Sequence, residues 1–144
     1  MSVRLACLEC GQGNRVPEAH LDAQPICGTC GGPLMSDTPT DISLDVLTKA
    51  ERLNDILLIL DFWAACCGPC RMMAPEFDKA AKLLKGRARF AKLDTESFLA
   101  AGARYGIQGI PLLVAFHGGR EIGRRAGVIS AGEIASWIGA GAQS

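Results

Sequence analysis

The sequence predicts an α/β domain, a mixed central sheet flanked by helices, behind a small cysteine-rich N-terminal unit. Three observations carry that expectation. Ile56 to Ala64 is almost continuously apolar, as suits a strand buried on both faces, and Ala88 to Leu93 reads as a second central strand. A helical segment lies between them, which makes the pair a parallel crossover. Four of the seven cysteines stand in two C-x-x-C pairs before residue 31, in a stretch short of long apolar runs. The 144 residues hold one ordinary domain and a small appendage, and at 49% apolar they can build a core.

The elements follow in order. Cys7-Leu-Glu-Cys10 and Cys27-Gly-Thr-Cys30 are separated by sixteen residues, a spacing that matches a four-cysteine zinc ribbon over residues 1–34. Gly11, Gly28 and Gly31 let sulfur and backbone converge in two tight knuckles. Four thiolates suit tetrahedral Zn²⁺ and leave no open position, so the expected ion is single and structural. Two disulfides or an iron–sulfur centre are the competing readings. His20 is a weaker candidate ligand, expected to be exposed. Residues 35–41, Met-Ser-Asp-Thr-Pro-Thr-Asp, read as a polar linker, and residues 42–144 as the second domain.

Within that domain, Leu44 to Leu53 has helical spacing at Val46, Leu47, Ala50 and Leu53. The strand Ile56 to Ala64 leads into a helix from Cys67 to Lys85, interrupted by Pro75 and closed by Gly86. After the second strand come a short helix, Phe98 to Tyr105, and two strands, Leu112 to Phe116 and Glu121 to Ala126. The latter flank the hairpin signal His117-Gly-Gly-Arg120. Ser130-Ala-Gly-Glu133 resembles a capping box that opens a last helix through Trp137 and Ile138.

Composition excludes several function classes. Fifteen basic residues balance fifteen acidic ones, leaving no electrostatic footprint for nucleic acid or an anionic membrane. The longest apolar stretch, Ile56 to Cys67, has only twelve residues and contains Asp61, too short and too interrupted to span a bilayer. The segment Met1 to Cys7 has one basic residue and no apolar run of signal-peptide length, so secretion is not expected. An odd cysteine total without such a leader argues against a secreted disulfide scaffold and for a reducing compartment.

Cys67-Gly68-Pro69-Cys70 follows a buried strand and opens a helix. A helix N-terminus has unpaired N–H groups and a positive dipole end, which favour a thiolate over a thiol. Residues three apart on the first turn are neighbours, so Cys70 can attack a mixed disulfide formed on Cys67. Gly68 admits another chain, and Pro69 gives up an N–H that had no partner. A lone C-x-x-C is also half of a metal site; the strand-to-helix setting and the lack of a second pair in this domain favour redox chemistry. Asp61, at the end of an apolar strand, is costly to bury as a carboxylate, so its pKa should rise towards a useful range. A capping or solvated aspartate is the bland alternative.

The segment Asp61-Phe-Trp-Ala-Ala-Cys-Cys-Gly-Pro-Cys-Arg-Met-Met-Ala-Pro75 closely resembles the active-site segment of the thioredoxin family. So do Ala91-Lys-Leu-Asp94, Tyr105-Gly-Ile-Gln-Gly-Ile-Pro111 and the hairpin ending at Gly127. The resemblance covers about Asp41 to the C-terminus. It implies a thioredoxin fold and reduction of protein disulfides, with recharging by an NADPH-dependent, flavin-containing thioredoxin reductase and no organic cofactor bound to this chain. By resemblance, Cys67 is the attacking cysteine, Cys70 the resolving one, and Asp61 assists proton removal from it with Lys92 nearby. Pro111 matches a cis-proline facing the disulfide, with Ile110 presenting its backbone to a substrate strand. Gly127 matches a glycine of the substrate groove, and Gly68 and Pro69 border the same surface. Trp63 matches a buried tryptophan, and Trp137 is expected in the core.

Two departures stand out. Cys66 replaces a tryptophan that contacts substrate in the family, which removes a large apolar surface and adds a sulfur that is either prone to side oxidation or packed as a small, inert hydrophobe. Leu112 stands where a threonine commonly follows the cis-proline. With its cysteine-rich start, the chain is similar to the bacterial thioredoxin-2 type. That similarity implies a cytoplasmic location, and a monomer is expected. A partner-binding ribbon, or a redox sensor that releases zinc on oxidation, are the alternative functions.

Overall fold

The computed structural model describes residues 1–141; the last three residues of the expected 42–144 domain lie outside them. The N-terminal unit opens on a hairpin that the sequence reading does not anticipate, β1 (Ser2–Ala6) antiparallel to β2 (Gly13–Pro17). A 3₁₀ turn, Glu18–Ala23, follows. Val3, Leu5, Cys7, Val16, Cys27 and Leu34 form a small core of its own.

The second unit is a five-stranded sheet in the order β3-β5-β4-β6-β7. Its strands are β3 (Thr40–Asp41), β4 (Leu57–Trp63), β5 (Ala88–Asp94), β6 (Leu112–His117) and β7 (Arg120–Ala126). β3, β5 and β4 run parallel; β6 is antiparallel to β4, and β7 to β6. Thr40 and Asp41, which read as the end of a linker, are thus the sheet's edge strand, paired with Ala91 and Lys92.

Helices cover both faces. α1 (Leu44–Ala50) starts at Ser43, whose hydroxyl accepts the Val46 N–H at 3.1 Å. α2 (Gly68–Leu83) is the crossover between β4 and β5. It continues through Pro75, which offers no N–H to the carbonyl one turn back. α3 (Ala100–Arg104) is shorter than the spacing predicts, and α4 (Ala131–Gly139) begins with the expected Ser130–Glu133 capping box.

The pleat sorts the central strands. Ile59, Phe90, Leu113 and Ala115 pack with Met73 and Phe77 of α2 and Ile134 and Trp137 of α4. Leu58, Leu60, Phe62, Ala91, Leu93 and Val114 face the other way, onto Leu47 and Ala50 of α1. Each fully buried Leu, Ile or Phe contributes about 1.5–3 kcal/mol to such layers. By the same alternation Asp61 shares the Ile59 side, under α2, and its register partner Lys92 shares the Phe90 side. Trp137 is core, as expected, whereas Trp63 is only half-buried, because it ends β4 at the sheet's rim.

The N-terminal unit is docked on the sheet. Ala6 and Leu8 join the α1-side core. The Ala6 N–H donates to the Leu53 carbonyl at 3.1 Å, and the Arg4 N–H donates to the Asp55 carboxylate at 2.7 Å. Contact with the sheet comes at the start of β5, where Arg89 donates to the Ala6 carbonyl.

Candidate redox site and metal site

Cys67 is the N-cap of α2, extended at φ −88° and ψ 114°, and its sulfur accepts the Cys70 N–H at 3.2 Å. The residue types explain the turn: Pro69 sits in the first helical turn where no N–H is required, and Gly68 precedes it without a side chain. The two sulfurs differ in access. Cys67 is half-buried, whereas Cys70 is 3% exposed. Burial, reinforced by the Cys67 sulfur and by the negative charge of Asp61, pushes the Cys70 thiol up to about 12. All seven cysteines are free, so this is the dithiol form.

Asp61 is wholly buried, and neither carboxylate oxygen has a hydrogen-bond partner among the described residues. Desolvation lifts its pKa from 3.8 to about 7, against the attraction of Lys92. Lys92 does not sit directly on it; its Nζ lies 4.8 Å above the Trp63 ring. Buried on strand β4 beneath the helix that carries Cys70, this carboxyl can hold a proton near neutral pH.

The far wall comes from the β6 side. The Ile110–Pro111 peptide is cis, and the Ile110 carbonyl lies 3.7 Å from the Cys67 sulfur. Gly127, at φ 87°, donates its N–H to the Pro111 carbonyl at 2.9 Å. A left-handed φ here suits glycine. The structure thus brings Cys67, Cys70, Gly68, Pro69, Ile110, Pro111 and Gly127 around one surface, with Asp61 and Lys92 beneath it.

Cys66 is exposed beside Cys67, but sequence reasoning missed its partner. Its thiol donates to Glu96 Oε1 at 3.0 Å. That carboxylate raises the Cys66 pKa, first by the hydrogen bond and then by its charge. The hydrogen bond to Glu96 favours the thiol form of this exposed sulfur. No sequence signal links residues thirty apart on a turn and a loop.

The four N-terminal cysteines converge. All four sulfurs lie within 4.8 Å of one another, with Cys7–Cys30 at 3.6 Å and Cys10–Cys27 at 3.7 Å. Sulfurs around a tetrahedral ion with bonds of about 2.3 Å stand about 3.8 Å apart, whereas a disulfide needs about 2.05 Å. The donor set and spacing fit a metal. The knuckles repeat one design. Gly11 and Gly31, at φ 83° and 75°, donate to the carbonyls of Cys7 and Cys27. N–H groups of Glu9, Thr29 and Gly32 point at sulfurs of Cys7, Cys27 and Cys30, each at 3.4 Å. The Cys30 N–H, the Asn14 amide and the Thr29 N–H bring the Cys27 thiol down to about 6. Gly28 keeps an ordinary φ and donates to the Asn14 side chain. His20 is exposed and outside the cluster.

Comparison with known proteins decides the family. The thioredoxin family description matches residues 45–140. The chain belongs to the thioredoxin family. A second description, the N-terminal part of thioredoxin 2, matches residues 6–32 and contains all four knuckle cysteines. Thioredoxin C-3 of Corynebacterium nephridii is 34% identical over 134 residues, 93% of this chain and 92% of the relative. The thioredoxin of a Synechocystis strain is 37% identical over 105 residues, 72% of this chain and 96% of its own. Among solved structures, chloroplastic thioredoxin z is 30% identical with a TM-score of 0.66, covering 74% of this chain and 96% of that one. A point mutant of the thioredoxin from Halobacterium salinarum gives a TM-score of 0.65 at 28% identity, over 72% of this chain and 90% of that one. This thioredoxin is accordingly a thiol–disulfide oxidoreductase, a protein-disulfide reductase acting on disulfide-containing proteins. Among the described residues no helix is long and apolar enough to cross a membrane.

Proposed function

We propose that this thioredoxin works by dithiol exchange through Cys67 and Cys70. The observation that supports it most is the asymmetry of the pair. The Cys67 sulfur caps a helix N-terminus and accepts the Cys70 N–H at 3.2 Å, while Cys70 itself is buried. The Cys67 thiolate attacks one sulfur of a substrate disulfide. The substrate S–S bond breaks, the departing sulfur takes a proton from water, and a Cys67–substrate disulfide remains. Cys70 then loses its proton to the Asp61 carboxylate and attacks the Cys67 sulfur. The substrate leaves as its second thiol, two electrons have passed to it, and Cys67–Cys70 is a disulfide. Lys92 assists by favouring the charged form of Asp61.

Substrate lies across Cys66, Gly68, Pro69, Ile110, Pro111 and Gly127. Thioredoxin reductase returns the two electrons from NADPH through its own flavin, so this chain needs no organic cofactor. One Zn²⁺, held by Cys7, Cys10, Cys27 and Cys30, supplies folding energy to the ribbon and takes no part in exchange. The protein acts as a monomer in the cytoplasm.

Trapping tests this. Cys70→Ser should accumulate a mixed disulfide with substrate proteins, and Cys67→Ser should form none; insulin reduction should fall to background in both. Stable adducts on Cys67→Ser through Cys70 would reverse the assignment. Elemental analysis of protein purified without chelator should find about one zinc per chain.

A further inference from the structure

Arg89 has no place in the exchange chemistry, yet it is among the most buried large side chains, 1% exposed. It projects from β5 to the ribbon side of the sheet. Its Nη1 donates to the carbonyls of Ala6 at 2.8 Å and Leu34 at 3.3 Å. These two residues bracket the cysteine segment, so one guanidinium holds both ends of the ribbon. Nε and Nη2 have no hydrogen-bond partner among the described residues. No carboxylate pairs with it among the ion pairs present in the described residues.

A guanidinium stays charged, and a buried charge without a counter-charge is strongly unfavourable. A purely hydrogen-bonding clamp would account for Nη1 but not for the cost of the charge. Burial disfavours the Arg89 charge, and an ionised Cys7 would act against that. Cys7 is completely buried, directly after the Ala6 carbonyl that Arg89 holds. Four thiolates around one divalent cation carry net negative charge, and the N–H groups aimed at three of the sulfurs only partly balance it.

We propose that Arg89 is the counter-charge of the ribbon's four-cysteine metal site, so that metal binding in the ribbon and stability of the redox domain are coupled through β5. The proposal rests on the reading that the cysteines hold zinc. Coupling is reciprocal: if Arg89 strengthens metal binding, metal strengthens the domain that carries Arg89.

The test uses the full chain as wild type, Arg89→Met and Arg89→Lys. Zinc affinity is measured by competition with a chromogenic chelator. Melting under reducing conditions is followed by tryptophan fluorescence, with and without zinc. Trp63 and Trp137 are the two tryptophans, so the signal reports the redox domain. Arg89→Met should weaken zinc binding at least about tenfold, and Arg89→Lys, which can keep a cation there but not the guanidinium's geometry, should weaken it less. Zinc removal should lower the wild-type melting temperature and lower that of Arg89→Met by less. Metal-free Arg89→Met should be at least as stable as metal-free wild type, because the unpaired buried charge is gone. Equal zinc affinity in wild type and Arg89→Met, or equal losses in both variants, would overturn the coupling alone. Should Arg89→Met not fold, wild type decides: an unchanged tryptophan melt on zinc removal overturns the coupling, and a drop supports it. A wild-type protein that takes up no zinc would overturn the zinc reading as well.

Discussion

Replacing Asp61 by Asn should change how stability depends on pH, and the size of the change follows from its burial. The carboxyl titrates at about 7 in the folded chain and near 3.8 in an unfolded one. The folded state therefore binds the proton more tightly, and between those values it carries more protons than the unfolded state. Stability must fall as pH rises through that window. At about 1.4 kcal/mol per pKa unit, ionised Asp61 costs the folded protein about 4 kcal/mol by pH 8. Asn cannot ionise, so Asp61→Asn escapes that slope. Its buried amide lacks partners as well, which costs about 1–3 kcal/mol at every pH. In urea titrations of the reduced protein from pH 4 to 8, the stability of Asp61→Asn relative to wild type should climb by about 4 kcal/mol, most of it below pH 7. The same variant should resolve the Cys67 mixed disulfide more slowly near neutral pH, since Cys70 loses its proton acceptor. Parallel stability curves for the two proteins would refute the reasoning, because they would mean that Asp61 is not desolvated in the fold.

Iodoacetamide at pH 7 should label Cys67 well before Cys70, which is buried and titrates near 12; peptide mapping after short exposure reads the order. Glu96→Gln should speed alkylation of Cys66 at pH 8, because it removes the carboxylate that holds the proton on that thiol. An unchanged Cys66 rate would show that the 3.0 Å contact has no electrostatic consequence. Cys66→Trp should lower KM for protein substrates that lie on this surface, and Cys66→Ser should leave turnover nearly intact; insulin-reduction kinetics on both variants read the two effects.

The central strands and the crossover were legible because the pattern that marks them is the pattern that buries them. A segment such as Leu57 to Trp63 has no use for so many apolar residues unless both its faces are covered. The cysteine spacing was equally direct, since two knuckles must meet for four sulfurs to share an ion. The β1–β2 hairpin was not legible. Arg4 and Arg15 keep the alternation, but the strands are five residues each, Asn14 takes an inward position, and β2 buries only Val16, too short a pattern to stand out from a loop. β3 is two residues long, and its polar sequence is indistinguishable from that of a loop. Arg89 and Glu96 were missed for a common reason: each is defined by a partner more than twenty-five residues away. A hint for Arg89 was present, a charged residue at an apolar strand's start with an alternation that turns it away from Phe90.

The order in which the chain is made differs from the order in which its parts depend on each other. All four ribbon sulfurs lie within the first 30 residues, and each knuckle closes through local bonds. The groups on which the ribbon docks come later, at Leu53, Asp55 and Arg89. At a synthesis rate of about 5–20 residues per second, the nascent ribbon waits roughly 3–12 s before strand β5 emerges. Through that interval its thiols lack the sheet beside them, and on the proposed zinc reading an ion captured early would close them before an oxidant could.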